Sequence, residues 1–138
     1  MDSNIPAGEL LTSLHVNNTL TKKLEPFTPL EGNNVRWYMC GPTVYSDSHL
    51  GHAKTYIAFD TIRRIMRDYF RYDVHLCMNI TDIDDKIIKK AIDQKEEFTA
   101  ISRKYEQEFL EDMDALNVDH PTVLTRVSEY MPEIINYI

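Results

Sequence analysis

Two apolar segments and the stretch between them do most to limit what this chain can fold into. Val35-Arg36-Trp37-Tyr38-Met39-Cys40 is rich in β-branched and aromatic residues and stops at Gly41-Pro42, which predicts a buried strand with a punctuated end. Val74-His75-Leu76-Cys77-Met78-Asn79-Ile80 predicts a second strand. Its apolar content is more continuous than alternating, as in a central parallel strand buried on both faces. From Gly51 to about Tyr69, the residues Ala58, Ile62, Ile65, Met66 and Tyr69 recur at spacings of three and four. That is a helical stripe able to cover one face of a sheet. Strand, helix and strand in this order form a crossover unit, so the expected fold class is α/β with a parallel sheet.

The flanks are less regular. Residues 1–16 carry no period and are expected to form an N-terminal arm; residues 17–138 would then form the globular part. Asn17 to Lys23 suggests one short edge strand, and Pro26, Pro29 and Gly32-Asn33-Asn34 mark a loop. Beyond the second strand, a helix is expected from about Ile83 to Ile92. A second, amphipathic one should run from about Thr99 to Ala115, with Tyr105, Phe109, Met113 and Leu116 on its apolar side. Asp119-His120-Pro121 is a turn, and a last helix from Val127 or Ser128 to Ile138 shows no C-terminal cap. Ile134, Ile135 and Ile138 need something to pack on, and the second strand would be left with a bare edge or an uncovered face. We therefore expect the sequence to be part of a longer domain.

Composition narrows the setting. The 138 residues suffice for one small domain, with 43% apolar and 27% charged residues. A net charge of -7 argues against a broad nucleic-acid platform, yet it leaves room for ATP or an RNA 3′ end held by a helix terminus and a few side chains. Two cysteines, Cys40 and Cys77, do not make a disulfide scaffold. No stretch has the character of a signal peptide, and none approaches the length of a membrane span. A reducing, cytoplasmic setting is expected.

The chemistry concentrates in Cys40-Gly41-Pro42-Thr43-Val44-Tyr45-Ser46-Asp47-Ser48-His49-Leu50-Gly51-His52. This loop leaves the carboxyl end of a parallel strand, where α/β sheets bind ligands. Gly51 permits close approach of a ligand or backbone, and the N–H groups of the following helix suit phosphate. His49 and His52 flank that glycine and could donate to phosphate oxygens as charge develops. No Walker A loop and no Gly-x-Gly-x-x-Gly is present. A histidine at a helix start can equally be a simple cap. Thr81-Asp82-Ile83-Asp84-Asp85 has a structural reading of its own, a capping box made by Thr81 with Asp84 or by Asp82 with Asp85. Cys77 reads as core. His75 points to the same face, without further support for a metal pair.

His49-Leu50-Gly51-His52 resembles the His-x-Gly-His signature of class I aminoacyl-tRNA synthetases, with leucine where isoleucine is commonest. Cys40-Gly41-Pro42-Thr43-Val44-Tyr45 ahead of it and Asn79-Ile80-Thr81-Asp82-Ile83-Asp84-Asp85-Lys86-Ile87-Ile88 behind it resemble the cysteine-specific branch. The resemblance runs from about residue 17 to the end. It implies the N-terminal half of a Rossmann-like catalytic domain, truncated, that activates L-cysteine with ATP and Mg²⁺ and transfers it to tRNA(Cys). By the same resemblance His49, Gly51 and His52 bind ATP and His49 and His52 stabilise the transition state. Cys40 is one of four zinc ligands, the other three lying beyond Ile138, and the metal takes the substrate thiolate. Cys40, Gly41, Thr43 and Thr81 border the amino acid, with Tyr45 and Asp47 as further candidates. Residues 1–138 alone would be inactive; a homodimer of the whole protein is compatible with the resemblance. Arg64 to Phe70 and the lead-in resemble eukaryotic cytosolic members. A ligase joining cysteine to a glucosaminyl-inositol, and a catalytically silent module, are the alternatives.

Overall fold

The computed structural model describes residues 13–138. A three-stranded parallel sheet forms its centre, in the order β3 (Asn34–Met39), β4 (Asp73–Ile80), β5 (Val123–Arg126); a hairpin of β1 (His15–Asn18) and β2 (Lys23–Pro26) precedes it. Between β3 and β4 run α1 (Leu50–Arg64) and a π-helical turn at Ile65–Tyr69. Between β4 and β5 run α2 (Asp85–Gln94) and α3 (Phe98–Ala115). A short 3₁₀ turn and α4 (Met131–Tyr137) follow β5. The register pairs Asn34 with Asp73 through Met39 with Met78, and Cys77 with Val123 through Ile80 with Arg126. The α/β class and the parallel sheet are as the sequence implies.

Both crossovers step across the sheet in the same direction, so one crossover hand sets α1, α2 and α3 on the same face. Their core joins Met39, Val44, Tyr56, Leu76, Met78, Ile80, Ile87, Ile101, Phe109 and Met113. In β4 burial therefore alternates. Val74, Leu76, Met78 and Ile80 are buried, whereas Asp73 and His75 are exposed and Cys77 and Asn79 are half-buried. This corrects the expectation of a strand buried on both faces, and it takes Cys77 out of the helix-covered core. The alternation is hard to see in the sequence because a cysteine occupies one of the outward positions. The expected bare edge is also corrected, since β5 flanks β4; four residues are too few to announce a strand by period. The uncovered face is present, with Tyr38 61% and Val123 49% exposed. Of the three C-terminal isoleucines, Ile134 is half-buried, lining a cavity with Tyr38, Cys77 and Tyr130, while Ile135 and Ile138 are exposed.

α1 turns a different side inward from the one its apolar residues suggest. Ile62, Ile65 and Tyr69 are about half exposed, Ala58 is exposed, and of that stripe only Met66 is buried. The inward side is Tyr56, Asp60, Arg63 and Met66. Two charged residues are tolerated there because each is fully engaged. Arg63 donates to the carbonyls of His120 (2.6 Å) and Asp119 (3.4 Å). Asp60 accepts from Arg64 (2.6 Å) and from the Asp119 amide (3.2 Å). A polar clamp to the turn after α3, invisible to hydrophobic periodicity, thus decides which side of the helix faces in.

Other details differ from expectation. The single strand expected over 17–23 is the hairpin, and His15 and Val16, assigned to the arm, belong to β1; residues 1–12 of that arm lie outside the described residues. On α3, Phe109 and Met113 are buried and Tyr105 half-buried, but Leu116 is 40% exposed. α2 starts at Asp85, with Asp84 as its N-cap accepting from the Lys86 amide at 2.9 Å. Neither predicted capping box forms. Thr81 is drawn to the end of the sheet, and buried Asp82 accepts the amide (3.0 Å) and the hydroxyl of Ser128.

Candidate active site

The first half of the site is the turn that opens α1. His49 is the N-cap, with extended backbone at φ -133°, and its Nδ1 accepts the Gly51 amide at 3.0 Å. Reciprocally, the His49 amide donates to Nδ1 of His52 at 3.1 Å. The two rings stack with centroids 4.0 Å apart and 26° between planes. Backbone N–H groups are unambiguous donors, so both Nδ1 atoms are lone pairs. Each neutral ring then carries its proton on Nε2. The turn thus holds two Nε2–H donors at the N-terminus of a helix, where the backbone already favours anions. Gly51 serves this geometry directly: a Cβ there would lie 2.7 Å from Cε1 and 2.9 Å from Nδ1 of His49. The close approach that this glycine permits is that of the His49 ring itself.

Burial, and after it the neighbouring His49, push the His52 pKa below its ordinary value. A histidine with a depressed folded pKa is neutral in the fold while the unfolded chain begins to protonate near pH 6.5. Its contribution to stability should be complete above about pH 6.5 and lost progressively as pH falls through the folded value. Protonation would also place a hydrogen on the Nδ1 that accepts the His49 amide. In an NMR titration, His52 should titrate below the unfolded-chain value and the His49 amide should shift with the same midpoint. A His52 midpoint at or above about 6.5 would contradict this wiring.

The second half is built by the ends of β3 and β4. Thr43 and Thr81 form a parallel bridge, with the Val44 amide donating to the Thr81 carbonyl (3.2 Å) and the Thr81 amide to the Pro42 carbonyl (3.0 Å). Gly41 crosses so near to β4 that an added Cβ would overlap the Asn79 carbonyl. Cys40, a free and exposed thiol, stands at the end of β3. Its carbonyl accepts from the Tyr56 hydroxyl at 3.4 Å. Burial, aided by Cys40, pushes the Tyr56 phenol up to about 12, so it remains a donor. Tyr56 lies one turn after His52 on the same side of α1, which ties the histidine turn to the Cys40 strand end.

Sequence reasoning anticipated Cys40, Gly41, Thr43, Thr81, His49, Gly51 and His52, and these gather at the carboxyl ends of β3 and β4 and the start of α1. Tyr45 is half-buried, and its carbonyl accepts from Lys90 Nζ at 2.8 Å. Lys90 also reaches the Tyr105 hydroxyl at 2.5 Å. Asp47 is exposed on the loop. Lys90, Tyr56 and Asn79 were missed: they hold the site through backbone groups and amide geometry, for which no short motif exists. Among the described residues no three His, Cys, Asp or Glu side chains come together as a metal site. Cys40 fits the part of a single thiolate ligand, and one ligand does not hold zinc.

A parallel sheet with this histidine turn at the end of its first strand has the architecture of a class I aminoacyl-tRNA synthetase catalytic domain. The chain belongs to the family described as tRNA synthetases class I (C) catalytic domain, whose profile matches residues 26–138. It is 51% identical over 130 residues to the cytoplasmic cysteine--tRNA ligase of Dictyostelium discoideum, covering 92% of this chain and 20% of that protein. It is 48% identical over 126 residues to the cysteine--tRNA ligase of Encephalitozoon cuniculi (strain GB-M1), and 49% to that of Thermococcus gammatolerans (strain DSM 15229 / JCM 11827 / EJ3). Each of those matches covers 91% of this chain and 26% of the relative. The chain therefore spans between a fifth and about a quarter of the length of these relatives, which include an archaeal protein as well as eukaryotic ones. No helix among the described residues is long and apolar enough to cross a membrane.

Proposed function

We propose that the protein containing this chain is a cysteine--tRNA ligase of the cytoplasm, taking L-cysteine, ATP with Mg²⁺, and tRNA(Cys). The observation that carries the reading is the paired Nε2–H donors of His49 and His52, set at a helix N-terminus within one helical turn of the Tyr56 contact to Cys40. In the first reaction the carboxylate oxygen of cysteine attacks the α-phosphorus of ATP. The bond to the bridging oxygen breaks and pyrophosphate leaves, giving cysteinyl-adenylate. The tRNA 3′-terminal ribose hydroxyl then attacks the acyl carbon, losing its proton, and AMP departs. His49 and His52 donate through Nε2–H to phosphate oxygens as negative charge builds on them. Thr43 and Thr81 border the amino acid. Cys40 contributes one thiolate to a zinc site completed by other parts of the longer protein. When bound, the metal supplies a soft partner for the substrate thiol that serine's hydroxyl cannot match.

Cys40→Ser in the full-length protein tests the reading. Bound zinc should fall, and cysteine-dependent ATP–pyrophosphate exchange should be abolished while circular dichroism is unchanged. Full zinc occupancy with normal exchange would remove Cys40 from the site.

A further inference from the structure

The Asn79 side chain ties together three groups at the strand ends, and the proposed function gives it no part. Its Oδ1 accepts the Gly41 amide at 3.2 Å and the Tyr38 hydroxyl at 2.9 Å. Its Nδ2 faces the hydroxyl oxygen of Thr81 at 3.2 Å. The orientation of an asparagine amide is settled by its partners, and here one partner can only donate. The Gly41 N–H fixes Oδ1 on its side, which turns Nδ2 toward Thr81. Reversing the amide would set NH₂ against N–H on one side and leave the other without its donor. Thr81 Oγ1 is therefore an acceptor from Asn79, and its single hydroxyl proton must be spent elsewhere.

We propose that Asn79 is a positioning residue that makes Thr81 a hydrogen-bond donor toward the cleft, and so tunes the site for an anionic acceptor atom of the amino-acid substrate. The inference rests on the proposed function. Asn79 does not touch the reacting atoms; it acts through Thr81. A neutral amide is well suited to the task. A carboxylate at the same place would satisfy Gly41 and Tyr38 equally well, but it would draw the Thr81 proton to itself and bring a negative charge toward the substrate's own.

That contrast supplies the test. In the full-length protein, Asn79→Asp keeps the acceptor for Gly41 and Tyr38, replaces the donor to Thr81 with an acceptor, and adds a negative charge. In ATP–pyrophosphate exchange it should raise KM for L-cysteine by about tenfold or more, the loss of one hydrogen bond to a charged group, with KM for ATP and the melting temperature unchanged. On a Thr81→Val background the penalty of Asn79→Asp for cysteine should shrink to that of the added charge, because the part carried by the hydroxyl is already lost. An Asn79→Asp protein with the parent's cysteine KM would reduce Asn79 to a structural tie between β3 and β4 and overturn the proposal. Independent, multiplicative effects in the double variant would overturn it as well. If the parent protein shows no cysteine-dependent exchange at all, the functional reading fails and takes this inference with it. A normal parent with a normal Asn79→Asp removes this inference alone.

Discussion

Gly41→Ala should cost the fold about 3 kcal/mol or more, beyond the usual range for inserting a methyl group. The Cβ would overlap the Asn79 carbonyl and come within 3.1 Å of Met78 Cγ. Most overpacked sites relax because a flexible side chain gives way; here the obstacle is backbone of the central strand. Relief requires β3 and β4 to separate at their carboxyl ends, which breaks the Gly41–Asn79 contact and the Thr43–Thr81 bridge together. Against a total stability of about 5–15 kcal/mol, that is a large fraction. The melting temperature should drop by roughly 10 °C or more. Gly32→Ala is the control: its surroundings are open, and only the φ of +55° opposes a side chain, at about 1 kcal/mol. Thermal unfolding by circular dichroism on both variants checks the claim. Equal losses at the two positions would mean that the strand ends are not so close.

The second large effect is catalytic. His49→Ala and His52→Ala in the full-length protein should each lower kcat for ATP–pyrophosphate exchange by about 10²-fold or more, roughly 3 kcal/mol of transition-state stabilisation. KM for ATP should rise far less, because a donor that acts as charge develops contributes little to the ground state. Each substitution also removes a cap hydrogen bond, at about 1 kcal/mol of stability, which a melting curve measures separately. An unchanged kcat with a raised KM would make the pair a ground-state binding element only. An unchanged kcat and KM would leave them as caps.

The legible and illegible parts of this molecule divide along physical lines. β3 and β4 could be found because strands of six and eight residues with sharp ends carry enough apolar content to stand out. The histidine turn could be found because its cap is made by side chains at a fixed short spacing. β5 stayed hidden because four residues have no period. The inward side of α1 was misassigned because Asp60 and Arg63 spend their charge on the Asp119-His120 turn, more than fifty residues away. Thr81 and Asp82 looked like caps for α2, as their residue types suggest. Thr43, which bridges to Thr81, and Ser128, which bonds Asp82, lie about forty residues away along the chain, outside any local window. Asn79 itself looks like one polar residue at a strand end, and two of its partners, Tyr38 and Gly41, stand about forty residues earlier.

The histidine turn also constrains how this sequence can drift. His49 needs the Gly51 amide, its own amide needs His52, and the ring needs the space that only a glycine at 51 leaves. Leu50, by contrast, is 84% exposed and takes part in none of these bonds. Three of the four positions are locked to one another and the fourth is free. A lineage can exchange apolar residues at position 50 at almost no cost. To abandon the other three it must pass through single changes that each break a bond or a fit of the same helix start.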